Sequence, residues 1–270
     1  MTTFPDTLPA AVPAAWDHVT LGDGIGVPVA IGGDLTPDLL LAAHLRGVFC
    51  LPRCEPADIA HNAATYGPDV EAGDIPLLPS ASDPYARLWW SPTTRYVLPV
   101  GEVHLGRTLR RAIRASGWTT TVDRDLDAVL DACRAARSPQ WITPELTDCL
   151  RALHRAGWVR SVEVWNGSRL VGGLFGLAVG QVFVMSSAFH TEPDAAKAAI
   201  ADLARRSAEG GIRLLDAQVR TDYTVRLGAR GIPRREYLEW LAPGPLVPGP
   251  LAPGVLSTGP AQAARLLEQT

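Results

Sequence analysis

Ile-Arg-Leu-Leu-Asp-Ala-Gln-Val-Arg-Thr-Asp-Tyr, residues 212–223, is the stretch on which the fold and the chemistry of this chain both depend. It follows a helical pattern closed by two glycines, and its apolar run predicts a strand. Alternate side chains of a strand point to one face, so we expect Asp216, Gln218 and Arg220 to lie side by side. A buried carboxylate is costly unless it is paired. Asp216 therefore needs a partner or a function, unless the stretch is a solvated edge strand.

The composition is that of a globular protein. Hydrophobic residues make up 47% and charged residues 20% of 270 residues, and no uncharged apolar run is long enough to cross a membrane. Residues 1–13 lack the basic and apolar regions of a secretory signal, so we expect a cytoplasmic protein without a membrane partner. The formal net charge of −3 means that a nucleic acid would need a local basic patch.

The four cysteines have no spacing typical of a metal site or a disulfide framework. Cys50, Cys54, Cys133 and Cys149 contain no Cys-x-x-Cys pair, and a chain of this length does not need covalent cross-links. We therefore expect four free thiols and no metal.

The N-terminal part predicts a small α/β domain over residues 1–90. Residues 27–47 give a strand, a turn and a helix, in which Thr36 is the N-cap and Pro37 the first helical residue. Residues 54–84 are rich in Pro, Ala, Asp and Gly without sustained periodicity. They predict a long loop, inserted into the domain.

The remainder predicts a second domain over residues 91–241. From Ser161 the hydrophobic period becomes two, which indicates a three-stranded meander; a helix over residues 193–209 and the 212–223 strand follow. This order is that of an N-acyltransferase core. The fold class is thus α+β, with the small α/β domain followed by a GNAT-like domain that has a mixed sheet. The Pro/Gly-rich residues 242–270 predict a semi-rigid tail.

A row of arginines marks one face of the helix predicted over residues 106–116. Arg107, Arg110, Arg111 and Arg114 fall at i, i+3, i+4 and i+7, with no acidic residue between them. Charge runs are usually solvated surfaces. Because four like charges repel one another, a phosphate backbone is the alternative reason for this face.

A series of short motifs runs in order through residues 30–241. It comprises Gly32-Gly33-Asp34-Leu35, Trp89-Trp90-Ser91-Pro92, His104 to Arg107, Trp141 to Glu145, Ser161 to Trp165, Leu170 to Gly173, Asp194 to Lys197, Asp216-Ala217-Gln218 and Leu227 to Arg234. The series resembles the leucyl/phenylalanyl-tRNA protein transferases. Members of this family pass an amino acid from aminoacyl-tRNA to the N-terminal Arg or Lys of a protein, as in N-degron tagging.

The resemblance implies a reaction without a cofactor or a covalent enzyme intermediate, because an aminoacyl ester is already activated. It implies that Asp216 binds and orients the acceptor's ammonium group, and that Gln218 accepts a hydrogen bond from the attacking nitrogen and passes its proton on. It gives the arginine row a partner in the acceptor stem of tRNA. We expect a monomer with a leucyltransferase type of activity.

The resemblance also implies a site for the aminoacyl-adenosine end of the tRNA. Trp141 is expected to stack on the terminal adenosine, and the other expected residues are Trp90, Ser186, Ser187, Ala188 and Phe189. Three positions depart from the family pattern: Leu51 replaces a tryptophan, Ser186 a glutamate and Ala188 a methionine.

These departures leave three alternatives open. The first is the same chemistry with a different amino acid and a small-molecule amine acceptor. The second is a CoA-dependent N-acetyltransferase, although the turn over residues 189–194 has two acids and no glycine, which disfavours a pyrophosphate. The third is an inactive protein that binds aminoacyl-tRNA.

Overall fold

The computed structural model of the chain describes residues 14–22 and 26–241. The expected absence of a secretory signal in residues 1–13 and the predicted tail over residues 242–270 both concern residues outside the described part of the chain. No helix of the described part combines the length and the apolar character that crossing a membrane requires.

A four-stranded sheet forms the N-terminal part of the described chain. Its elements are β1 (Ala30–Gly32), α1 (Pro37–Leu45), β2 (Phe49–Pro52), α2 (Pro56–Glu71), β3 (Leu77–Leu78) and β4 (Arg87–Trp90). The strand order is β2-β4-β1-β3, in which β1 and β3 are parallel and the other pairs antiparallel.

Helix α1 begins and ends as the sequence predicts. The Thr36 side chain accepts a hydrogen bond from the Leu39 backbone N–H at 3.1 Å, and Pro37 occupies the first helical position. Gly47 then takes a positive φ of 71°, a conformation that a side chain would disfavour. The chain can therefore turn directly from α1 into β2.

The prediction of a long loop over residues 54–84 is wrong, because the 16-residue helix α2 occupies half of this segment. Its half-buried face includes Ile59, Asn62, Tyr66 and Val70, at i, i+3, i+7 and i+11. This is a helical period, but small and polar residues occupy much of the helix and hide it. Tyr66 packs edge-on against Trp90, with ring centroids 6.2 Å apart.

A seven-stranded mixed sheet forms the C-terminal part. Its elements are β5 (Thr94–Pro99), α3 (Arg107–Ala115), β6 (Thr119–Val122), α4 (Leu126–Ala135), α5 (Pro144–Arg155), β7 (Val159–Asn166), β8 (Arg169–Val179), β9 (Val182–His190), α6 (Ala195–Glu209), β10 (Leu214–Gln218), α7 (Asp222–Arg226), β11 (Arg230–Pro233) and α8 (Arg234–Leu241). The strand order is β11-β5-β10-β9-β8-β7-β6.

The predicted meander and strand-helix-strand unit are both present. Strands β7, β8 and β9 pair antiparallel in sequence, and α6 then crosses over so that β10 pairs parallel to β9. Strand β5 lies on the other side of β10 and is antiparallel to it. The α+β class and the mixed sheet are therefore confirmed.

The two sheets share one main hydrophobic core. Leu40 of α1, Trp89 of β4 and Phe175 of β8 belong to the same buried cluster. Trp16 extends this cluster towards the N-terminus, since its ring meets that of Trp89 edge-on at a centroid distance of 5.0 Å. The two parts of the chain are thus held against each other by continuous apolar packing.

Candidate active site

A cleft opens in the larger sheet where β9 and β10 stop pairing. The last paired residues are Asp216 of β10 and Val184 of β9. Just beyond this point β9 contains a bulge, because Ser187 and Met185 pair with consecutive residues of β8 and leave Ser186 without a partner there. Two strands that diverge at a bulge leave room for a ligand between them.

A second irregularity lies on β10 at the same level. Its register on β5 shifts between Asp216 and Gln218, and Gln218 has a positive φ of 64°, which is uncommon for a residue with a side chain. The simple alternation that we expected along this stretch is therefore wrong. The strand ends at Gln218, and Arg220 lies beyond it on the surface, 3.1 Å from Asp222.

Asp216 is fully buried and its carboxylate is fully occupied. The Arg95 guanidinium donates from Nε to both carboxylate oxygens, at 2.9 and 3.0 Å, and from Nη2 to Oδ2 at 2.6 Å. The Tyr237 hydroxyl donates to Oδ2 at 2.8 Å, and the Gln218 backbone N–H donates to Oδ1 at 2.6 Å. Direct binding of an acceptor ammonium by Asp216 does not fit this geometry, because no lone pair faces the cleft.

The contacts within this network keep Arg95 charged and Tyr237 neutral. Burial lowers the pKa of Arg95, but the charge of Asp216, together with the effects of Tyr237 and of the hydrogen bonds to both residues, holds this pKa above its ordinary value. Burial raises the pKa of Tyr237, and Asp216 raises it further against the opposing effect of Arg95. Tyr237 is therefore a neutral donor beside an ion pair, and the two fix the backbone at Gln218.

A narrow, mainly apolar pocket with a cavity volume of about 20 Å³ lies in front of this network and opens to solvent. The residues that line it are Leu40, His44, Phe49, Cys50, Leu51, Trp141, Leu146, Leu150, Phe175, Leu177, Ser186 and Gln218. Helices α1 and α5 and strand β2 thus close the cleft of the larger sheet. An apolar lining with a few convergent polar groups is typical of a small-molecule site.

The structure brings together three of the expected site residues in this pocket: Trp141, Ser186 and Gln218. Asp216 lies behind Gln218. The other four residues expected around the aminoacyl end do not line the pocket. Trp90 packs on Tyr66, Phe189 is buried in the main core, Ser187 lies at 3.5 Å from Arg137 Nη2, and the Ala188 carbonyl accepts from the same atom at 3.1 Å.

The pocket contains no nucleophilic thiol. Burial raises the pKa of the Cys50 thiol well above its usual range, so this lining residue is protonated. All four cysteines are free, as expected. Within residues 14–22 and 26–241, no group of three or more His, Cys, Asp or Glu residues is suited to a metal ion.

Three residues of the site were not predicted from the sequence: Arg95, Tyr237 and His44. Arg95 carried a usable signal, because an arginine within an apolar strand needs a buried acid just as Asp216 needs a buried base. Tyr237 carried none, since an aromatic residue in a C-terminal helix is ordinary. His44 is 5% exposed on the apolar helix α1 and resembles any core histidine in sequence.

The arginine row lies on a surface helix, as predicted. Helix α3 has no fully buried residue; Arg107, Arg111 and Arg114 are exposed and Arg110 is half-buried. The apolar side of the helix, with Leu109 and Ile113, packs against the second core cluster of the larger sheet.

The start of α6 is occupied by acidic side chains. Glu192 accepts hydrogen bonds from Asn166 Nδ2 at 3.1 Å and from Trp118 Nε1 at 2.9 Å, and these contacts lower its pKa. Asp194 lies 2.6 Å from the Lys197 ammonium. Two carboxylates therefore stand where a helix N-terminus would otherwise attract a phosphate.

Sequence comparisons place the chain among transferases. The family model described as leucyl/phenylalanyl-tRNA protein transferase matches residues 97–242. A protein of Shewanella baltica (strain OS185) called leucyl/phenylalanyl-tRNA–protein transferase is 37% identical over 227 residues, 83% of each chain. Its namesakes in Nitratidesulfovibrio vulgaris (strain DP4) and Xylella fastidiosa (strain M23) are 38% and 37% identical, over 79% and 78% of this chain and 80% and 76% of their own.

Solved structures give a more distant similarity. A conserved protein of unknown function from Bacteroides thetaiotaomicron matches with a TM-score of 0.39 and 13% identity, over 56% of each chain. A structure described as L-PGS from Bacillus licheniformis matches with a TM-score of 0.34 and 13% identity, over 56% of this chain and 57% of its own. Similarity at this level carries no argument about function.

Proposed function

The chain belongs to the leucyl/phenylalanyl-tRNA protein transferase family, and on that premise we propose that it transfers an amino acid from charged tRNA to an N-terminal amine. It is an aminoacyltransferase, and its donor carries leucine or phenylalanine. The acceptor is the N-terminal Arg or Lys of a protein or peptide. The observation that carries this proposal is the apolar pocket lined by Gln218, whose backbone N–H is held by the buried Arg95–Asp216 pair.

The apolar lining suits the side chain of the transferred residue. Leu146, Leu150, Phe175 and Leu177 supply hydrocarbon surface on which a leucine or phenylalanine side chain is removed from water. Trp141 offers an aromatic face at the same pocket, and base–aromatic stacking contributes about 1 to 3 kcal/mol. We propose that the terminal adenosine lies against Trp141 and that the amino acid enters the pocket, whose lining side chains must move apart to admit it.

Gln218 is the catalytic residue of this proposal. Aminolysis of an ester requires an amine that is held in line with the carbonyl carbon, and positioning alone supplies much of the acceleration. The side-chain carbonyl of Gln218 accepts a hydrogen bond from the attacking nitrogen and orients its lone pair. The proton of that nitrogen passes to the departing ribose oxygen, so the enzyme takes no part in the covalent changes.

Asp216 is a positioning residue and not a contact of the acceptor. Its carboxylate holds the Gln218 backbone N–H at 2.6 Å, at the residue whose φ is positive. Arg95 and Tyr237 fix the carboxylate in turn. A backbone strained at one residue is maintained only when its surroundings determine it strongly, and this network supplies that determination.

The arginine row on α3 is the proposed contact for the tRNA. Its three exposed guanidinium groups face outwards from one helix, while the net charge of the chain is −3. A local basic surface on an acidic protein is suited to a phosphate backbone. We propose the acceptor stem as the part of the tRNA that meets it.

A different amino acid with a small-molecule amine acceptor is the second candidate. Leu51 and Ser186, two of the positions that depart from the family pattern, both line the pocket. Changes in the lining alter the side chain that fits without altering the chemistry at Gln218. The two acidic side chains at the start of α6 weigh against a CoA-dependent acetyltransferase, because they disfavour a pyrophosphate there.

The division into domains is part of the same proposal. We infer an N-terminal α/β domain over residues 1–90 and a GNAT-like domain over residues 91–241. In support, the smaller sheet contains only strands that end by Trp90, and the larger sheet only strands that begin at Thr94 or later. We also propose that the protein acts as a monomer in the cytoplasm.

A transfer assay tests the function. Labelled Leu-tRNA and Phe-tRNA are incubated with peptides that begin with Arg or Lys, and the same peptides with acetylated N-termini are the control. We expect label in the free peptides only, and its loss in Gln218→Ala. Label from other charged tRNAs in small amines would support the second candidate, and tRNA binding without any transfer would show an inactive binder.

A further inference from the structure

His44 contributes an imidazole to the pocket lining that no step of the proposed reaction has used. It lies on α1 and lines the pocket together with Gln218 and Ser186. The residue is 5% exposed, and its Nδ1 is buried without a hydrogen-bond partner. A buried polar atom without a partner costs about 1 to 3 kcal/mol. The fold therefore gains nothing from the polarity of this ring at Nδ1, and an apolar ring would pack there at lower cost.

The imidazole is neutral at physiological pH. Burial, and then the positive charge of Arg95, lower the pKa of His44 from 6.5 to about 3. A neutral imidazole has one N–H donor and one acceptor nitrogen. Since unpaired N–H groups are rarer in protein interiors than unpaired acceptors, the buried Nδ1 favours the tautomer with its proton on Nε2. Nε2 is then the nitrogen that remains for a ligand, and it is a donor.

Ester aminolysis needs such a donor. When the amine attacks, the carbonyl oxygen becomes an oxyanion, and preorganised donors around it lower the barrier. The guanidinium of Arg95 does not serve, because it is committed to Asp216, to the Gly47 carbonyl at 3.1 Å and to Tyr237. With Trp141 assigned to the terminal adenosine and the Cys50 thiol only a weak donor, the remaining polar side chains of the lining are Ser186, Gln218 and His44. Of these, a neutral imidazole with its acceptor nitrogen buried can act only as a donor.

We propose that His44 donates a hydrogen bond from Nε2 to the ester carbonyl oxygen of the aminoacyl group and stabilises the oxyanion that forms there. The proposal rests on the proposed function. The amine lone pair forms the new C–N bond while the C=O π electrons move to oxygen. The electrons then return, the bond to the ribose oxygen breaks, and that oxygen takes the proton from nitrogen. His44 neither gains nor loses a proton.

Two substitutions test the proposal in the transfer assay. His44→Phe removes the donor and keeps a flat ring in the pocket, whereas His44→Gln restores an N–H donor. We expect His44→Phe to lower kcat by about 100-fold or more, the usual effect of removing one such donor, with the KM for the charged tRNA within about threefold. His44→Gln should raise kcat at least about tenfold above that of His44→Phe. Equal reductions in both variants, or an unchanged kcat in His44→Phe, would overturn the proposal.

Binding of two probes separates this role from a structural one. The first is the phenylalanyl amide of 3′-amino-3′-deoxyadenosine, which resembles the ground state. The second is its phosphonamidate, whose tetrahedral anionic centre resembles the oxyanion. We expect His44→Phe to bind the first as the native protein does and the second at least about 30-fold more weakly. Equal weakening for both probes would refute the role. If the native protein transfers nothing, the proposed function fails, whereas native transfer with normal His44→Phe kinetics refutes His44 alone.

Discussion

Replacing Arg95 and Asp216, singly and together, separates what the buried ion pair does for stability from what it does for transfer. Both side chains are at most 1% exposed, and their closest atoms are 2.6 Å apart. Arg95→Met leaves a buried carboxylate, and Asp216→Leu leaves a buried guanidinium. Removing one partner of a buried ion pair costs about 3 to 5 kcal/mol, because the other charge stays desolvated. For a chain of this size that destabilisation lowers Tm by about 6 to 20 °C.

The double variant Arg95→Met/Asp216→Leu removes both charges at once. Apolar replacement of a whole buried pair is often close to neutral, but here the Gln218 N–H and the Tyr237 hydroxyl each lose their acceptor, which costs about 1 kcal/mol apiece. The Gly47 carbonyl keeps the hydrogen bond from the Ser91 hydroxyl at 3.1 Å. We therefore expect a net cost of about 2 kcal/mol, less than that of either single variant. Urea denaturation of all four proteins measures it.

The rate of aminoacyl transfer should not parallel the stability of these variants. The double variant is expected to fold and yet to transfer at least about 100-fold more slowly, because nothing anchors the backbone of Gln218. A double variant less stable than both single variants would refute the pairing argument. A double variant with native transfer would refute the positioning role of Asp216.

Three further predictions concern other parts of the chain. Gln218→Ala should lower kcat by about 10² or more, whereas Val219→Ala, at the exposed neighbouring position, should leave it unchanged in the same assay. Replacing the exposed arginines of α3 by glutamine should reduce the slope of log affinity for tRNA against log salt concentration by about 0.7 to 0.9 for each phosphate that is no longer neutralised. Arg235→Gln on α8 is the control. Equal slopes in the α3 variant and in this control would contradict the proposed tRNA surface. Folding lowers the pKa of His44 from 6.5 to about 3, so its unfolded form binds a proton that the native form rejects. The contribution of His44 to stability is therefore complete above pH 6.5 and declines as the pH falls towards 3, by at most about 1.4 kcal/mol per pH unit. Urea denaturation at a series of pH values should show that the free energy of unfolding declines less steeply in His44→Phe than in the native protein. Parallel declines would contradict this.

The sequence predicts those helices and strands in which the capping residues and the hydrophobic period match the side chains that are buried. Thr36 and Thr143 each cap the helix that follows them, as their positions before a proline suggest. The meander follows from its period of two. Helix α2 was missed because Asn62, Ala63 and Gly67 interrupt the half-buried face that Ile59, Tyr66 and Val70 mark. Local patterns suffice where side-chain type and burial coincide, and they fail where small residues carry the packing.

The site was only partly predictable for a different reason. Asp216 and Gln218 stand in a motif, but the bulge between them is set by pairing with β5, whose sequence lies far away. The same distance hid Arg95, 121 residues from its partner Asp216. Trp90, Ser187, Ala188 and Phe189 do not line the pocket, and of the β9 segment only Ser186, at the bulge, does so.

The order of strands in the larger sheet has a consequence for the biosynthesis of this protein. Strand β5 is made early, but its two neighbours, β10 and β11, belong to the last quarter of the described chain. At about 5 to 20 residues per second, a ribosome adds Asp216 about 6 to 24 seconds after Arg95. Tyr237 and the Arg234 contact with the carbonyl of Leu21 come later still. A nascent chain that ends before Asp216 therefore cannot form the buried Arg95–Asp216 pair.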